Sequence, residues 1–171
     1  MSGDTLINAE LVILTHGAIV ASLVEELGDA EATNAELDRL GARVGQRCVD
    51  EYLARFEHPC RTFKETADGV CGALQYFLQV SNVVSTFQPD GNSYTITLSE
   101  NPLERHMQLP PQLGNLSFSQ MLCGAIRGAL KMVGFDVAVS TVALSPVRVT
   151  TTSPFVLEVR LEGEINETTP K

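Results

Sequence analysis

The stretch His58-Pro59-Cys60-Arg61-Thr62-Phe63-Lys64-Glu65 is where residue types in this chain converge on covalent chemistry. The cysteine lies two residues before Thr62, which is written as a helix start. Its sulfur therefore stands near the positive end of a helix dipole, with Arg61 and Lys64 beside it, and all three favour the thiolate. A thiolate at a helix mouth is a nucleophile and a fair acceptor for an acyl group. His58 would supply the base of a Cys–His hydrolase, but Pro59 stands between the two side chains, and neither an oxyanion donor nor an orienting acid accompanies them. On the residues alone, an inert thiol serving as small apolar filler is as good a reading as an acyl acceptor.

Other chemistries find less support. Cys48, Cys60, Cys71 and Cys123 form no Cys-x-x-Cys pair, and His16, His58 and His106 are not at ligand spacing from them, so no metal site is expected. The G-x-S-x-G elbow, the H-E-x-x-H pair, the phosphate loop and the G-x-G-x-x-G fingerprint are all missing, and no enzyme is expected. His16 falls in a mostly apolar helix and reads as a satisfied core histidine.

The elements that hold Cys60 are legible as alternating patterns. Thr33-Asn34-Ala35-Glu36, Thr62-Phe63-Lys64-Glu65 and Ser117-Phe118-Ser119-Gln120 each match the capping box that opens a helix. Helical periodicity follows each: Leu37, Leu40, Val44, Cys48, Tyr52 and Phe56; then Ala67, Val70, Leu74, Phe77 and Leu78; then Leu122, Ala125, Ile126, Ala129 and Val133, closed by Gly134. An earlier helix over about 8–27 is apolar on more than one side and should be covered twice, by the core and by another surface. Gly124 and Gly128 make a stripe that would let the last helix lie close to a sheet. Strands read at Val83–Phe87, Tyr94–Leu98, 135–144 and Phe155–Glu162, with a turn at Pro89-Asp90-Gly91. The expected fold is α+β, in the order α-α-α-β-β-α-β-β, with helices packed on one face of a twisted antiparallel four-stranded sheet.

Length and charge bound the class. The 171 residues suit a single domain, with short flexible ends at about 1–7 and 164–171. A net charge of −9 gives little attraction to phosphate backbones, so no nucleic-acid partner is expected. The acidic start, MSGDTLINAE, is unlike a secretory signal, and the uncharged run from Gly69 to Pro89 is too polar to span a bilayer. A cytoplasmic protein is expected.

Three longer stretches carry a resemblance. "FKETADGV" after the cysteine, "NAELDRLGARVGQRCVDEYLARF" and "ENPLERHMQLPPQLGNLSFSQMLCGAIRGALKMV" resemble the core subunits of TRAPP, the transport protein particle, and among them the subunit-three, or Bet-three, type. The similarity runs from about residue 8 to about 165. It implies an apolar tunnel in the domain, bordered by Phe63, Ala67, Val70 and Leu74 and filled by a palmitoyl chain in thioester linkage to Cys60. Burying about 14 methylenes at about 0.8 kcal/mol each is worth at most about 11 kcal/mol, which makes the chain part of the core rather than a membrane anchor. The resemblance also implies a homodimer, or a heterodimer with other small TRAPP subunits, through the first two helices, where Leu11, Leu14, Ile19, Leu37 and Val44 are candidates. It further implies contact with a Rab GTPase through the assembled exchange factor, ER-to-Golgi vesicle tethering, and peripheral association with Golgi and ER-exit membranes. Leu74 is bulky where a small residue is implied, and would shorten or block the tunnel. The tail EGEINETTPK lacks the basic pair implied for the GTPase-facing end. Two alternatives share the fold: a six-like TRAPP subunit, and a stand-alone sensor of hydrophobic ligands.

Overall fold

The structure, a computed structural model, describes residues 7–56, 60–80, 83–104, 113–142 and 154–165. Four helices and four strands follow in the expected order: α1 (Ala9–Leu27), α2 (Ala30–Arg55), α3 (Phe63–Leu78), β1 (Val84–Phe87), β2 (Ser93–Leu98), α4 (Gln120–Met132), β3 (Phe135–Val142) and β4 (Phe155–Glu164). All strand pairs are antiparallel, in the spatial order β1-β2-β4-β3. Residues 143–144 of the expected third strand lie outside the described residues.

Alternation in the strands decides which side is dry. Tyr94, Ile96 and Leu98 of β2 are fully buried, as are Leu157 and Val159 of β4. They meet Phe63, Ala67, Val70 and Leu74 of α3 and Leu122, Cys123, Ile126 and Leu130 of α4 in one core. Phe63 anchors it, with its ring centroid 5.1 Å from Tyr94 and 6.2 Å from Phe135. The buried Tyr94 hydroxyl is matched by Thr66, 3.2 Å away.

The helix starts agree with the capping-box pattern once in three. Thr62 is the N-cap of α3, with both reciprocal bonds made. In α2 the start lies further back, because Gly28 takes the left-handed turn (φ 66°) and Asp29 caps the amide of Ala32 at 2.8 Å. Thr33 is then a buried interior residue whose hydroxyl donates to the Asp29 carbonyl at 2.7 Å. At α4 the N-cap is Ser119, without a cap bond from its side chain. That hydroxyl is engaged elsewhere: it accepts from Asn101 Nδ2 at 2.7 Å and donates to Glu104 at 2.8 Å.

The glycine stripe of α4 faces α2, not the sheet. A Cβ at Gly124 would fall on the Asp38 carbonyl and one at Gly128 on the Ala42 carbonyl, while Gly41 and Gly45 of α2 reciprocate against Met121 and Ala125. Four glycines thus let two helix backbones touch, and Arg127 pairs with Asp38 across the seam. The Leu37–Phe56 periodicity of α2 does not point to this contact, because glycines carry no hydropathy signal.

Outermost is α1, which lies against α2. Only His16 and Val20 of its 19 residues are buried. Val20 packs with Leu37 and Leu116, and His16 Nε2 lies 3.0 Å from the Phe118 carbonyl. A carbonyl only accepts, so Nε2 carries the proton and Nδ1 the lone pair. Nδ1 is buried without a hydrogen-bond partner, so the histidine is half satisfied rather than satisfied as expected. Burial holds its pKa below the usual value, against the opposing pull of the Phe118 bond and the Glu104 charge.

Candidate functional site

The α3 cap fixes the chain beside Cys60. Glu65 Oε2 accepts the Arg61 amide at 2.8 Å and the Thr62 amide at 3.3 Å, and the Glu65 amide returns to Thr62 Oγ1 at 3.3 Å. The half-buried Cys60 sulfur rests over Gly69, where a Cβ would lie only 3.1 Å from it. His58 and Pro59 lie outside the described residues, as do His106, Leu109, Pro110 and the last six residues of the tail.

From Cys60 an apolar cavity of about 270 Å³ runs between α2, α3 and α4. That approaches the lower end of small-molecule pockets, about 300 Å³. Small residues line it: Gly45 and Cys48 on α2, Gly69 and Ala73 on α3, Ala125 and Ala129 on α4. No charged side chain lines it, and the Thr66 hydroxyl on its wall is already bonded to the Phe63 carbonyl at 2.6 Å. Such a cavity offers dispersion and desolvation and little else, so it suits an aliphatic chain. Where the cavity meets the surface its rim carries Val12 of α1, Val44 of α2 and Phe77 of α3, all exposed.

Of the residues expected along such a tunnel, Val70 and Leu74 line the cavity, whereas Phe63 and Ala67 do not. Both are buried against the sheet instead. The helix is covered on two adjoining sides, by the cavity and by the sheet, and a single apolar stripe does not say which residue serves which side. Leu74 borders the cavity without closing it, since the lining continues past it to Phe77, Leu78 and Val133. The small lining residues are not evident from the apolar periodicity; their i,i+4 pairs, Gly69–Ala73 and Ala125–Ala129, are the signal the sequence offers.

The thiolate expectation is overturned. Burial, and secondarily the Glu65 carboxylate, push the Cys60 thiol above its ordinary value, and Arg61 and Lys64 are exposed to solvent. Burial also raises Cys48 within the cavity wall, and lifts Cys71 to about 11 and Cys123 to about 12. Among the described residues no group of three His, Cys, Asp or Glu could hold a metal. No described helix is long and apolar enough to cross a membrane.

The candidate interface residues divide. Leu11 and Leu14 are 58% and 70% exposed on α1, and Val44 is 48% exposed on α2. Ile19 is half-buried against the Val20 cluster. Leu37 is 0% exposed, enclosed by α1 and Leu116, and offers nothing to a partner. Its place in the apolar period of α2 hides this, because α1 covers that end of the helix.

An antiparallel sheet with helices on one face, carrying an apolar cavity that ends at a cysteine, defines an α+β fold with an internal apolar cavity. Similarity to known proteins is more specific. Residues 12–159 match the family described as "Transport protein particle (TRAPP) component". The bet3 subunit of the transport protein particle from Schizosaccharomyces pombe is 41% identical over 134 residues, spanning 77% of this chain and 73% of that one. Subunit 3 of the trafficking protein particle complex from Dictyostelium discoideum is 36% identical over 134 residues, 77% and 72% of the two chains. The crystal structure of subunit 3 from Naegleria fowleri, covalently bound to palmitic acid, superposes with a TM-score of 0.82 at 30% identity, covering 94% of this chain and 98% of that one. An H-NOX domain shares the fold alone, at a TM-score of 0.54 and 13% identity over 94% and 77% of the chains. The chain belongs to the TRAPP family, and its relatives there are of the subunit-three type.

Proposed function

We propose that this protein is a non-catalytic core subunit of TRAPP, carrying a long-chain acyl group on Cys60 that fills the cavity. The cavity beginning at the Cys60 sulfur is the observation that carries the reading. The palmitic acid bound to the Naegleria relative supports it. The chain acts as one domain and takes part in Rab nucleotide exchange and ER-to-Golgi tethering through the assembled complex, on the cytoplasmic face of Golgi and ER-exit membranes. It pairs with itself or another small subunit through the bare apolar face of Leu11, Leu14 and Val44. Intact mass before and after neutral hydroxylamine is the test. A palmitoyl increment that hydroxylamine removes, and that Cys60→Ser lacks, is expected. An unmodified mass in protein from a eukaryotic host refutes the acyl half and leaves the interfaces to carry the function. The cavity also suits a second reading, a free hydrophobic ligand held without a bond, which native mass spectrometry would detect as a dissociable adduct on Cys60→Ser.

A further inference from the structure

Resting on that reading, we infer that Glu65 is the positioning residue for Cys60: its carboxylate ties down the two amides that follow the cysteine and sets the sulfur over Gly69. The geometry is specific. One oxygen, Oε2, accepts both the Arg61 and the Thr62 amide, at 2.8 and 3.3 Å. A capping box needs only the second bond. The additional Arg61 bond reaches to the residue bonded directly to Cys60, so the peptide leaving the cysteine has a fixed direction. Gly69, one turn beyond Glu65 on the same face of α3, leaves the space into which that direction sends the sulfur. A side chain there would begin 3.1 Å from the sulfur, closer than a Cβ normally sits to a neighbour. The same carboxylate is the charge acting on Cys60, and it opposes ionisation of the thiol. The residue that aims the nucleophile therefore also restrains it.

The step served is transfer from an acyl thioester such as palmitoyl coenzyme A. The Cys60 proton goes to water, the sulfur attacks the thioester carbonyl carbon, the bond from that carbon to the donor sulfur breaks, and the donor leaves as a thiol after protonation. Three readouts on the full chain separate the roles. In the first, iodoacetamide alkylation of Cys60 is followed across pH by peptide mass mapping. Glu65→Gln should move the profile to lower pH and raise the rate at about pH 7.5 by about two- to fivefold, the range a single partly exposed charge commands. In the second, palmitoyl transfer should be as fast or faster in Glu65→Gln, whose amide oxygen can still accept, but slower in Glu65→Ala despite the freer thiol. In the third, hydrogen exchange at the Arg61 and Thr62 amides should stay protected in Glu65→Gln and lose protection in Glu65→Ala. An unmoved alkylation profile, or Glu65→Ala matching Glu65→Gln in exchange and transfer, overturns the inference. If wild-type protein accepts no palmitoyl group at all, the acylation reading falls, while alkylation and exchange still decide the role of Glu65.

Discussion

Replacing Gly45 with alanine sets two physical effects against each other. Within an exposed helix, glycine to alanine stabilises by about 1 kcal/mol, because the unfolded chain loses freedom and the helix gains a good former. Gly45, however, sits in the seam between α2 and α4, where a Cβ would fall on the carbonyl of Ala125. The obstacle is backbone, so no rotamer relieves it and the helices must part. Overpacking of this kind costs about 1–3 kcal/mol, and at a backbone contact the upper half of that range applies. Because Gly41, Gly124 and Gly128 hold the same close approach, separation at one point loosens contacts along the whole seam. The net expectation is a loss of about 1–2 kcal/mol, or a Tm lower by about 2–8 °C in a chain of this size. Thermal and urea unfolding followed by circular dichroism, on protein in one acylation state, is the assay. An unchanged or raised Tm would show that propensity wins and that the helices are not in backbone contact, which would sink the argument for the seam.

Three further outcomes are expected. Thr62→Ala removes the α3 cap and should lower stability by about 1 kcal/mol in urea titration, while Thr33→Ala, at a position that is not an N-cap, should act through its lost hydroxyl bond to the Asp29 carbonyl and lost packing instead. Ala129→Phe should fill the cavity and abolish the hydroxylamine-sensitive mass without unfolding the protein, and persistence of the adduct would place the acyl chain elsewhere. Stability should fall as pH drops below about 6.5, since the unfolded His16 takes up a proton that the buried ring resists, and the loss is complete below the depressed folded value. His16→Gln should flatten the dependence of unfolding free energy on pH across that window, and a slope equal to wild type would remove His16 as its source.

The fold is readable where side chains alternate strongly. Tyr94, Ile96 and Leu98 announce β2, and the Thr62–Glu65 box announces α3 with its reciprocal bonds intact. It is hidden where the decisive groups carry no hydropathy. The α2–α4 seam is made by four glycines, and the start of α2 by Asp29 after a left-handed Gly28, which displaces a better-looking box at Thr33. For the site, Cys60 and Val70 are visible as a helix-mouth cysteine and an apolar position. The cavity itself is not, because it opens where Ala73, Ala125 and Ala129 carry no larger side chain. Nor does local sequence reveal that Cys60 is half-buried, which together with the Glu65 carboxylate raises its pKa.

The strand order bears on how the chain is made. β4 is the last in sequence of the described strands, yet it lies between β2 and β3 and is hydrogen-bonded to both. On the ribosome the β1–β2 hairpin and the α4–β3 unit emerge first, each with a bare strand edge and apolar residues such as Ile96 and Val137 awaiting cover. Among the described residues, no earlier strand bridges them. The sheet therefore closes only when residues 155–164 clear the exit tunnel, and a nascent chain stopped short of that point presents two open edges at once to chaperones, to proteases and to other chains.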